Sequence, residues 1–237
     1  MKTILCYGDS NTYGYRPRDK KRHDHTVRWP MVMAAILNGL ADRQDAKPLL
    51  HPEAGSAFAP ASDPYWVVEE GLNGRTTCHE DPIEGDRNGL RQLIPILRSH
   101  RPLDLVIFML GTNDLKHRFN PSLYEISRGA QLVAKAILNS ETGPKDGPPK
   151  VLMVCPPPLV PSPAFARIFA ANAVELSQEL AAHYRVCAEE CGAAFFDAGT
   201  VVNTSPVDGL HWEEEGHRAF AEALAKEARE LLDGSLP

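Results

Sequence analysis

The sequence predicts a doubly wound α/β fold of three layers, α/β/α, with a parallel sheet in the middle. Short β-branched or aromatic runs recur along the 237 residues, and each is followed by a loop and then by a longer segment of helical period. One run, Leu105–Leu110, is continuously apolar, as expected for a strand that is covered on both faces. Strands that alternate with helices in this way are typical of a parallel sheet with helices on both sides.

Five strands and three helices follow from these patterns. The strands are predicted, in chain order, at Thr3–Tyr7, Tyr65–Val68, Leu103–Leu110, Val151–Cys155 and Ala193–Phe196. Asn120–Pro121 and Ser162–Pro163 are typical of helix starts, and Glu213–Glu215 is typical of the first turn of a last helix, where the dipole favours carboxylates. The residues expected to face inward are Leu123, Ile126, Ala130, Val133 and Ile137, then Phe165, Phe169, Leu176, Leu180 and Tyr184, then Phe220, Leu224, Ala228 and Leu231.

Composition and charge narrow the classes of function. The chain carries 25 Lys and Arg against 31 Asp and Glu, a net charge of −6, and its densest basic patch, Lys20–Arg22, is flanked by Asp19 and Asp24. Binding of nucleic acid or of an anionic membrane is therefore not expected. No apolar stretch reaches the ~18 residues of a membrane-spanning helix, and the apolar start of the chain is too short for a signal peptide. Five scattered cysteines favour free thiols in a reducing compartment, so we expect a cytoplasmic protein.

Proline is concentrated in two segments that interrupt the alternation of strands and helices. Asp42–Pro64 holds 4 of the 20 prolines, and Pro144–Pro163 holds 8. We interpret both as ordered loops of one domain that spans residues 1–237, because the alternation resumes on either side. For the first segment, the sequence allows two interpretations equally well: a mobile surface excursion, or a lid or subunit contact. The second segment leaves the expected ligand-binding edge of the sheet, where a stiff loop can border a pocket.

Residues suited to chemistry follow the predicted strands at their carboxyl ends, the edge where parallel α/β sheets bind ligands. Gly8–Thr12 follows the first strand, Glu70–Gly74 the second and Gly111–Asp114 the third, and Asp208–His211 lies in the loop after the fifth. A serine, a glycine-bearing turn, an asparagine and an Asp/His pair should therefore meet at one rim. Acyl transfer needs this set: a hydroxyl nucleophile, a base, a carboxylate that orients the base, and donors for the oxyanion.

Each of these signals has an ordinary structural explanation when it is taken alone. Ser10 can cap the helix that follows it, Gly74 can serve a turn, and Asn113 can form an Asx turn. His211 can be a packing histidine, and Asp208 a loop cap. Their joint occurrence in this order is much more specific than any one of them.

Other binding and catalytic classes fit the sequence less well. The spacing Gly8…Gly14 matches neither the dinucleotide fingerprint nor the P-loop. His23–His25 and His79–Asp81 are rich in histidine and carboxylates but lack metalloprotease spacing, so we expect solvated loops and no metal or cofactor. No Gly-x-Ser-x-Gly elbow surrounds Ser10, which disfavours the α/β-hydrolase fold. A catalytically inactive α/β binding module is the remaining alternative.

The motifs resemble the four blocks of the SGNH (GDSL-type) hydrolases. The matching residues are Gly8-Asp9-Ser10, Gly71-x-x-Gly74, Gly111-Thr112-Asn113-Asp114 and Asp208-x-x-His211. Longer stretches resemble the arylesterase/acyltransferase branch of that family, namely Ile4–Gly14, Val67–Thr77, Leu103–Asn113 and Val151–Leu159. The resemblance covers nearly the whole chain except Asp42–Pro64, which looks like an insertion. It implies a flavodoxin-like parallel sheet of five strands, the SGNH hydrolase fold.

The resemblance also implies a role for each matching residue. Ser10 would be the nucleophile, His211 the general base and then acid, and Asp208 the carboxylate that orients the imidazole. The backbone N–H groups of Ser10 and Gly74 and the side-chain amide of Asn113 would form the oxyanion hole.

One departure from the family concerns the substrate pocket. Many relatives have leucine after the nucleophile, whereas this chain has Asn11, so the wall beside Ser10 is expected to be less apolar. Thr112, Lys116 and Leu210 align with pocket positions of the branch, and with Asn11 they are the predicted substrate-binding residues. Tyr13 and Tyr15, which follow Ser10 closely, can line the entrance or pack in the core.

The resulting prediction is a serine esterase for short-chain aryl or alkyl acyl esters, with transfer of the acyl group to alcohols as a further activity. Carbohydrate acetylesterases, lysophospholipases and thioesterases of the same family share these residues, so they stay open as alternatives. The expected partners are a small acyl ester and water or an alcohol. The resemblance also implies a homo-oligomer, up to an octamer.

Overall fold

The computed structural model describes residues 1–40, 65–163 and 167–234, and within these ranges five parallel strands form one sheet. The strands are β1 (Lys2–Gly8), β2 (Tyr65–Gly71), β3 (Leu105–Met109), β4 (Lys150–Cys155) and β5 (Ala194–Asp197). Their order across the sheet, β2-β1-β3-β4-β5, is the flavodoxin-like order. The predicted fold class and all five predicted strands are confirmed. The segment Asp42–Pro64 lies outside the described residues.

Helices cover the two faces of the sheet. They are α1 (Ser10–Tyr13), α2 (Trp29–Leu37), α3 (Gly89–His100), α4 (Leu123–Leu138), α5 (Ala173–Cys191) and α6 (Glu214–Asp233). Side chains of β1 alternate between the faces: Leu5 and Tyr7 pack with α3, α4 and α5, while Ile4 and Cys6 pack with α2 and α6. Both faces of the sheet are thus buried under helices, which explains the continuous apolar run in β3.

Strand β2 continues past its predicted end at Val68 to Gly71. Its last residues pair in register with β1, and Gly71 lies opposite Gly8 at the carboxyl edge of the sheet. The predicted strand ended too early because Glu69 and Glu70 are charged, and charged residues are unusual in a buried strand. Since β2 is an edge strand, Glu69 can accept two hydrogen bonds from Arg28, at 2.8 and 2.9 Å.

Two of the three predicted helix starts are wrong. Helix α4 is capped by Ser122, whose Oγ accepts from the N–H of Glu125 at 3.2 Å, while Asn120 adopts a φ of 47° and ends a preceding 3₁₀ turn. Helix α5 begins at Ala173 rather than at Ser162–Pro163. Phe169, expected on that helix, instead forms a β-bridge with Lys116, and Phe165 lies outside the described residues.

The reason for these errors is tertiary. Local capping patterns compete with contacts from distant segments, which the sequence pattern does not contain. The hydroxyl of Ser162, for example, donates to the carbonyl of Asp208 at 2.8 Å, 46 positions further along the chain. The predicted start of the last helix is confirmed, with Glu214 and Glu215 in the first turn of α6.

In the described ranges no helix has both the length and the apolar character needed to cross a lipid bilayer.

Candidate active site

Ser10 stands directly after β1 and is the first residue of the four-residue helix α1. The helix is capped by Asp9, whose Oδ1 accepts from the N–H of Asn11 at 3.0 Å, so the Ser10 hydroxyl is not needed as a cap. The helix ends at Gly14, which takes the left-handed conformation at φ 85°. The capped turn leaves the side chain of Ser10 directed toward the loop that carries His211.

The side chains of Ser10, His211 and Asp208 form a continuous hydrogen-bond chain. Nε2 of His211 lies 2.8 Å from Oγ of Ser10, and Nδ1 lies 2.6 Å from Oδ2 of Asp208. The other carboxylate oxygen of Asp208 accepts from the N–H groups of Leu210 and His211, both at 3.0 Å. Burial raises the pKa of Asp208, but the hydrogen bonds and positive charge of His211 outweigh it, so the net pKa lies below its usual value.

The proline-rich segment that follows β4 braces the loop of Asp208 and His211. The N–H of Val160 donates to the carbonyl of Gly209 at 3.2 Å, and the hydroxyl of Ser162 donates to the carbonyl of Asp208. Thr204, which precedes the loop, donates to the carbonyl of Pro158 at 3.1 Å. Prolines restrict the backbone of this segment before folding, so the brace loses little conformational entropy when it forms.

Three hydrogen-bond donors, the N–H groups of Ser10 and Gly74 and the side-chain amide of Asn113, follow the carboxyl ends of three neighbouring strands. Nδ2 of Asn113, after β3, lies 3.1 Å from the carbonyl oxygen of Arg75 and 3.4 Å from Oδ2 of Asp9. The Asn113 amide therefore touches the residue after Gly74 and the residue before Ser10. Within the described residues, the N–H groups of Ser10 and Gly74 have no acceptor in the protein. Together the three groups can surround one oxygen atom that carries negative charge.

Two glycines at this edge of the sheet occupy positions that other residues disfavour. A Cβ on Gly71 would lie 2.1 Å from the backbone nitrogen of Tyr13, so only glycine lets the end of β2 approach α1. Gly74 adopts a φ of 81°, in the left-handed region that side chains disfavour. A side chain at this position would also meet Glu84 and Arg87, since an added Cβ would lie 2.4 Å from Oε2 of Glu84 and 3.1 Å from Nε of Arg87.

Asp9 is a buried carboxyl group beside the donors. Burial raises the pKa of Asp9 to about 6, against the lowering effects of the Asn11 N–H and of the positive charges of His211 and Arg75. The guanidinium of Arg75 lies 4.1 Å from the centre of the Tyr7 ring and donates to the carbonyl of Gly8 at 2.8 Å. The motif reading did not single out Asp9 and Arg75 as functional residues. Asp9 offered a signal, since a charged residue directly follows a buried strand.

Of the four predicted substrate-binding residues, Lys116 lies in a network of ion pairs. Its side chain is only 4% exposed, and Nζ lies 2.6 Å from Oε1 of Glu84 and 3.4 Å from Oδ2 of Asp81. Arg118 contacts the same two carboxylates, at 2.7 and 2.6 Å. The side-chain hydrogen bonds and backbone N–H groups outweigh the burial of the Asp81 carboxyl and lower its pKa to about 2. This network borders Gly74, because a Cβ there would lie 2.4 Å from Oε2 of Glu84.

Of the other three predicted substrate-binding residues, Asn11 and Leu210 contact the loop of Asp208 and His211, and Thr112 lies beside Asn113. Thr112 is 7% exposed and precedes Asn113 in a 3₁₀ turn. Leu210 is half-buried, directly before His211. The amide of Asn11 donates to the carbonyl of Leu210 at 3.2 Å, so this side chain faces the Asp208–His211 loop.

Tyr15 and Tyr13 occupy different surroundings. The ring of Tyr15 packs against the imidazole of His211, with ring centres 4.3 Å apart. Tyr13 lies under the guanidinium of Arg22, at 4.4 Å from its ring centre. Only Tyr15 therefore contacts the hydrogen-bond chain.

Histidines of the two histidine-rich stretches, His79 and His23, pack against other aromatic side chains. The imidazole of His79 stacks on Phe119, with ring centres 4.9 Å apart, and its Nε2 lies 3.7 Å from Oδ1 of Asp114. His23 is buried and packs against His217, with ring centres 5.0 Å apart. In the part of the chain that the structure describes, no three histidine, cysteine or acidic residues are grouped so that they could hold a metal ion.

The chain is similar to known esterases in sequence and structure. The profile of the GDSL-like lipase/acylhydrolase family matches residues 6–219. A carbohydrate acetylesterase family member from Sinorhizobium meliloti is 37% identical, with 98% of this chain and 100% of that chain covered and a TM-score of 0.83. The native aryl esterase of M. smegmatis is 36% identical, with the same coverage and a TM-score of 0.82. A second carbohydrate acetylesterase from S. meliloti is 34% identical, again with that coverage, and has a TM-score of 0.82. No curated protein sequence matches the chain.

Proposed function

Because the chain belongs to the GDSL-like lipase/acylhydrolase family and is a carboxylic ester hydrolase, we propose that it cleaves short-chain acyl esters through an acyl-enzyme on Ser10. The observation that carries the proposal is the hydrogen-bond chain from Asp208 through His211 to Ser10. A serine hydroxyl is a weak nucleophile by itself, and a hydrogen-bonded imidazole is the group that commonly activates it.

In the first half-reaction, Oγ of Ser10 attacks the ester carbonyl carbon while its proton moves to Nε2 of His211. The carbonyl double bond opens, and the carbonyl oxygen becomes an oxyanion. When the tetrahedral intermediate collapses, the bond to the leaving alcohol breaks and the alcohol oxygen takes the proton from Nε2. Asp208 holds the imidazole by Nδ1, which leaves Nε2 directed at the reacting atoms, and its negative charge stabilises the transient imidazolium.

The oxyanion is proposed to bind to the N–H groups of Ser10 and Gly74 and to Nδ2 of Asn113. These donors come from three separate strand ends and are held before substrate arrives, so they need little reorganisation when negative charge develops. The contact between Asn113 Nδ2 and Asp9 is long, at 3.4 Å, and can give way to a stronger acceptor.

In the second half-reaction, a water molecule takes the place of the leaving alcohol. His211 accepts a proton from this water, the hydroxide oxygen attacks the acyl carbon, and Ser10 leaves with the proton from Nε2. An alcohol can react in the same way and yields a new ester, so acyl transfer to alcohols is the second part of the proposal. The ratio of the two products depends on which acceptor reaches the acyl-enzyme first.

The surroundings of Gly74 favour a short acyl group. Glu84 and Arg87 lie directly against Gly74, and a Cβ there would be 2.4 and 3.1 Å from their polar atoms. Glu84 is in turn paired with Lys116 and Arg118. A long alkyl chain placed beside these groups would remove water from charges without replacing its hydrogen bonds, which is unfavourable. Acetyl and other short acyl groups avoid that cost.

A carbohydrate acetylesterase is the second candidate function. Two of the similar structures are described as carbohydrate acetylesterases, at 37% and 34% identity over 98% of this chain. Acetylated sugars would present the same acetyl group to Ser10 and differ in the leaving alcohol. Release of acetate from acetylated oligosaccharides, compared with release from phenyl acetate, separates the two candidates. A much higher kcat/KM for the sugar ester assigns the protein to the second.

A fluorophosphonate probe tests the acyl-enzyme proposal directly, since it reacts with activated serines. We expect one label per chain, on Ser10, and no label on Ser10→Ala. Ser205→Ala is the matched control, because Ser205 belongs to the same loop as His211 but its hydroxyl donates to Glu213. A folded wild-type protein that takes no label would contradict the proposal.

A series of p-nitrophenyl esters with increasing acyl length tests the substrate class. We expect kcat/KM to be highest for acetate or propionate and to fall steeply for longer chains. The same series with an excess of alcohol measures the share of product that appears as a new ester. Preference for long acyl chains would contradict the argument from Glu84 and Arg87.

The remaining parts of the proposal concern the whole chain. We propose one hydrolase domain over residues 1–237, a cytoplasmic location and a homo-oligomer of up to eight copies. Light scattering on the purified protein measures its mass in solution. A monomeric mass would contradict the proposed homo-oligomer and would leave the proposed chemistry unaffected.

A further inference from the structure

Position 11 carries a feature that the proposed mechanism does not use. Asn11 follows Ser10 in α1 and is 3% exposed, so its amide is buried where many relatives have leucine. A buried amide needs hydrogen-bond partners, whereas a leucine of similar size needs none. Within the described residues, Oδ1 of Asn11 has no partner at all. Stability therefore does not explain the amide, whose hydrogen bond within the described residues is the one from Nδ2 to Leu210.

That bond joins α1, which contains Ser10, to the loop that contains Asp208 and His211. Nδ2 of Asn11 donates to the carbonyl of Leu210 at 3.2 Å, across 199 positions of the chain. Leu210 is the residue before His211, and its N–H donates to Asp208. The amide of Asn11 thus holds a peptide group that lies between the two residues proposed as base and orienting carboxylate. The flipped amide would bring Oδ1 against the Leu210 oxygen, and two acceptors repel each other.

Both ends of this connection are rigid. The backbone N–H of Asn11 is held by the buried carboxyl of Asp9 at 3.0 Å, which fixes the origin of its side chain. On the other side, the loop is braced by Val160 and Ser162, which donate to the carbonyls of Gly209 and Asp208. A single bond between two such rigid segments sets their separation. The separation between Ser10 Oγ and His211 Nε2 is the distance over which the proton must move.

We propose that Asn11 is a positioning residue that holds the His211 loop against Ser10, rather than a wall of the acyl pocket. The inference rests on the proposed function, because it assumes that the Ser10–His211 pair is reactive. The bond from Asn11 to Leu210 runs beside the bond from His211 to Ser10 and is not broken during the reaction. It therefore maintains the alignment of imidazole and hydroxyl while the reactive hydrogen bond is exchanged for bonds to substrate.

Asn11→Leu and Asn11→Asp test this role together. Leucine restores the residue that many relatives have and removes the donor, while aspartate keeps the shape of asparagine and also cannot donate when ionised. We expect both variants to lower kcat by about 10- to 100-fold, as for a displacement of the reacting groups by a fraction of an ångström to an ångström. KM for p-nitrophenyl acetate and the preferred acyl length should remain as in the wild type. The rate of fluorophosphonate labelling at Ser10 should fall by the same factor as kcat.

The outcomes separate the possible failures. If the wild type takes no label at Ser10, the proposed function fails, and the positioning role fails with it. If the wild type is labelled and both variants are labelled at the wild-type rate, only the positioning role is overturned. A changed KM or acyl-length preference with an unchanged kcat would assign Asn11 to the pocket wall instead. The melting temperature of Asn11→Leu should equal or exceed that of the wild type. If the fall in kcat is instead accounted for entirely by unfolded protein, the positioning role is overturned.

Discussion

Oδ2 of Asp9 lies 3.4 Å from Nδ2 of Asn113, so a buried carboxyl group directly adjoins the amide proposed to bind the oxyanion. The other oxygen of Asp9 holds the N–H of Asn11. Asp9 thus touches both the serine turn and the turn after β3, two of the three segments that supply donors. Such a group fixes the geometry of a site, and burying its charge lowers the stability of the fold.

Asp9→Asn should stabilise the protein at neutral pH and reduce its activity. The folded protein keeps the proton on Asp9 up to about pH 6, whereas an unfolded aspartate releases it near 3.8. Ionisation of Asp9 in the folded state is therefore unfavourable, and its contribution to stability falls as pH rises through this window. The neutral amide avoids that cost, for a gain on the order of 1–3 kcal/mol in the free energy of unfolding at pH 7.5. Urea unfolding of the wild type and of Asp9→Asn at pH 4 and pH 7.5 measures this gain. If the two proteins differ in unfolding free energy by the same amount at both pH values, the raised pKa of Asp9 is contradicted.

Asn113→Ala should lower kcat by about 10²–10³-fold with little change in fold, because loss of one oxyanion donor typically raises the barrier by about 2.7–4 kcal/mol. Steady-state kinetics with p-nitrophenyl acetate checks this. Asn139→Ala is the matched control, since Asn139 is exposed at the end of α4. An unchanged kcat in a folded Asn113→Ala protein would remove Asn113 from the oxyanion site.

Activity should fall on the acid side between pH 8 and pH 5. A protonated imidazole at His211 cannot accept the proton of Ser10, so the proposed mechanism loses its base in acid. Asp208 does not cause this limb, because its pKa is below the usual aspartate value and it stays ionised there.

Asp9 does titrate in that range, with a pKa of about 6, so a second variant is needed. The kcat/KM profile of Asp9→Asn should retain the acid limb at lower overall activity. A flat profile in the wild type would argue against a histidine base, and loss of the limb in Asp9→Asn would assign it to the carboxyl group.

His217→Phe should make the stability of the protein less sensitive to acid. His217 is fully buried against Trp212, and burial lowers its pKa to about 3, with the charges of His23 and His211 acting in the same direction. An unfolded histidine binds a proton below about pH 6.5, so the unfolded state takes up more protons between these values and stability is lost as pH falls. The loss reaches up to about 4 kcal/mol near pH 3.

Melting temperatures at pH 7 and pH 4.5 measure this effect. His217→Phe should show a smaller difference between the two values than the wild type does. His183→Phe is the control, because His183 is exposed on α5 and should reproduce the wild-type difference. Identical pH dependence in wild type and His217→Phe would show that other groups govern acid unfolding.

The sheet was predictable because its signal is local. Runs such as Leu105–Leu110 are apolar throughout, and their period and spacing define a buried parallel strand without knowledge of its neighbours. Helix starts were less predictable, as at Ser162–Pro163, where the hydroxyl expected to cap a helix donates to Asp208. A capping pattern contains only neighbouring residues, and the sequence does not say which distant groups the fold brings to the same side chain.

The sequence by itself determined the fold class, the order of strand and helix, and the groups of residues that stand at the carboxyl ends of strands. These features depend on side-chain polarity at short spacing, which hydrophobic burial converts directly into secondary structure and layers. The tertiary structure alone decided what each polar side chain contacts: Lys116 pairs with Glu84 and Asp81, and Asn11 reaches Leu210. Such contacts join residues far apart in the chain, and the energy of a buried polar group depends on which partners the fold brings to it.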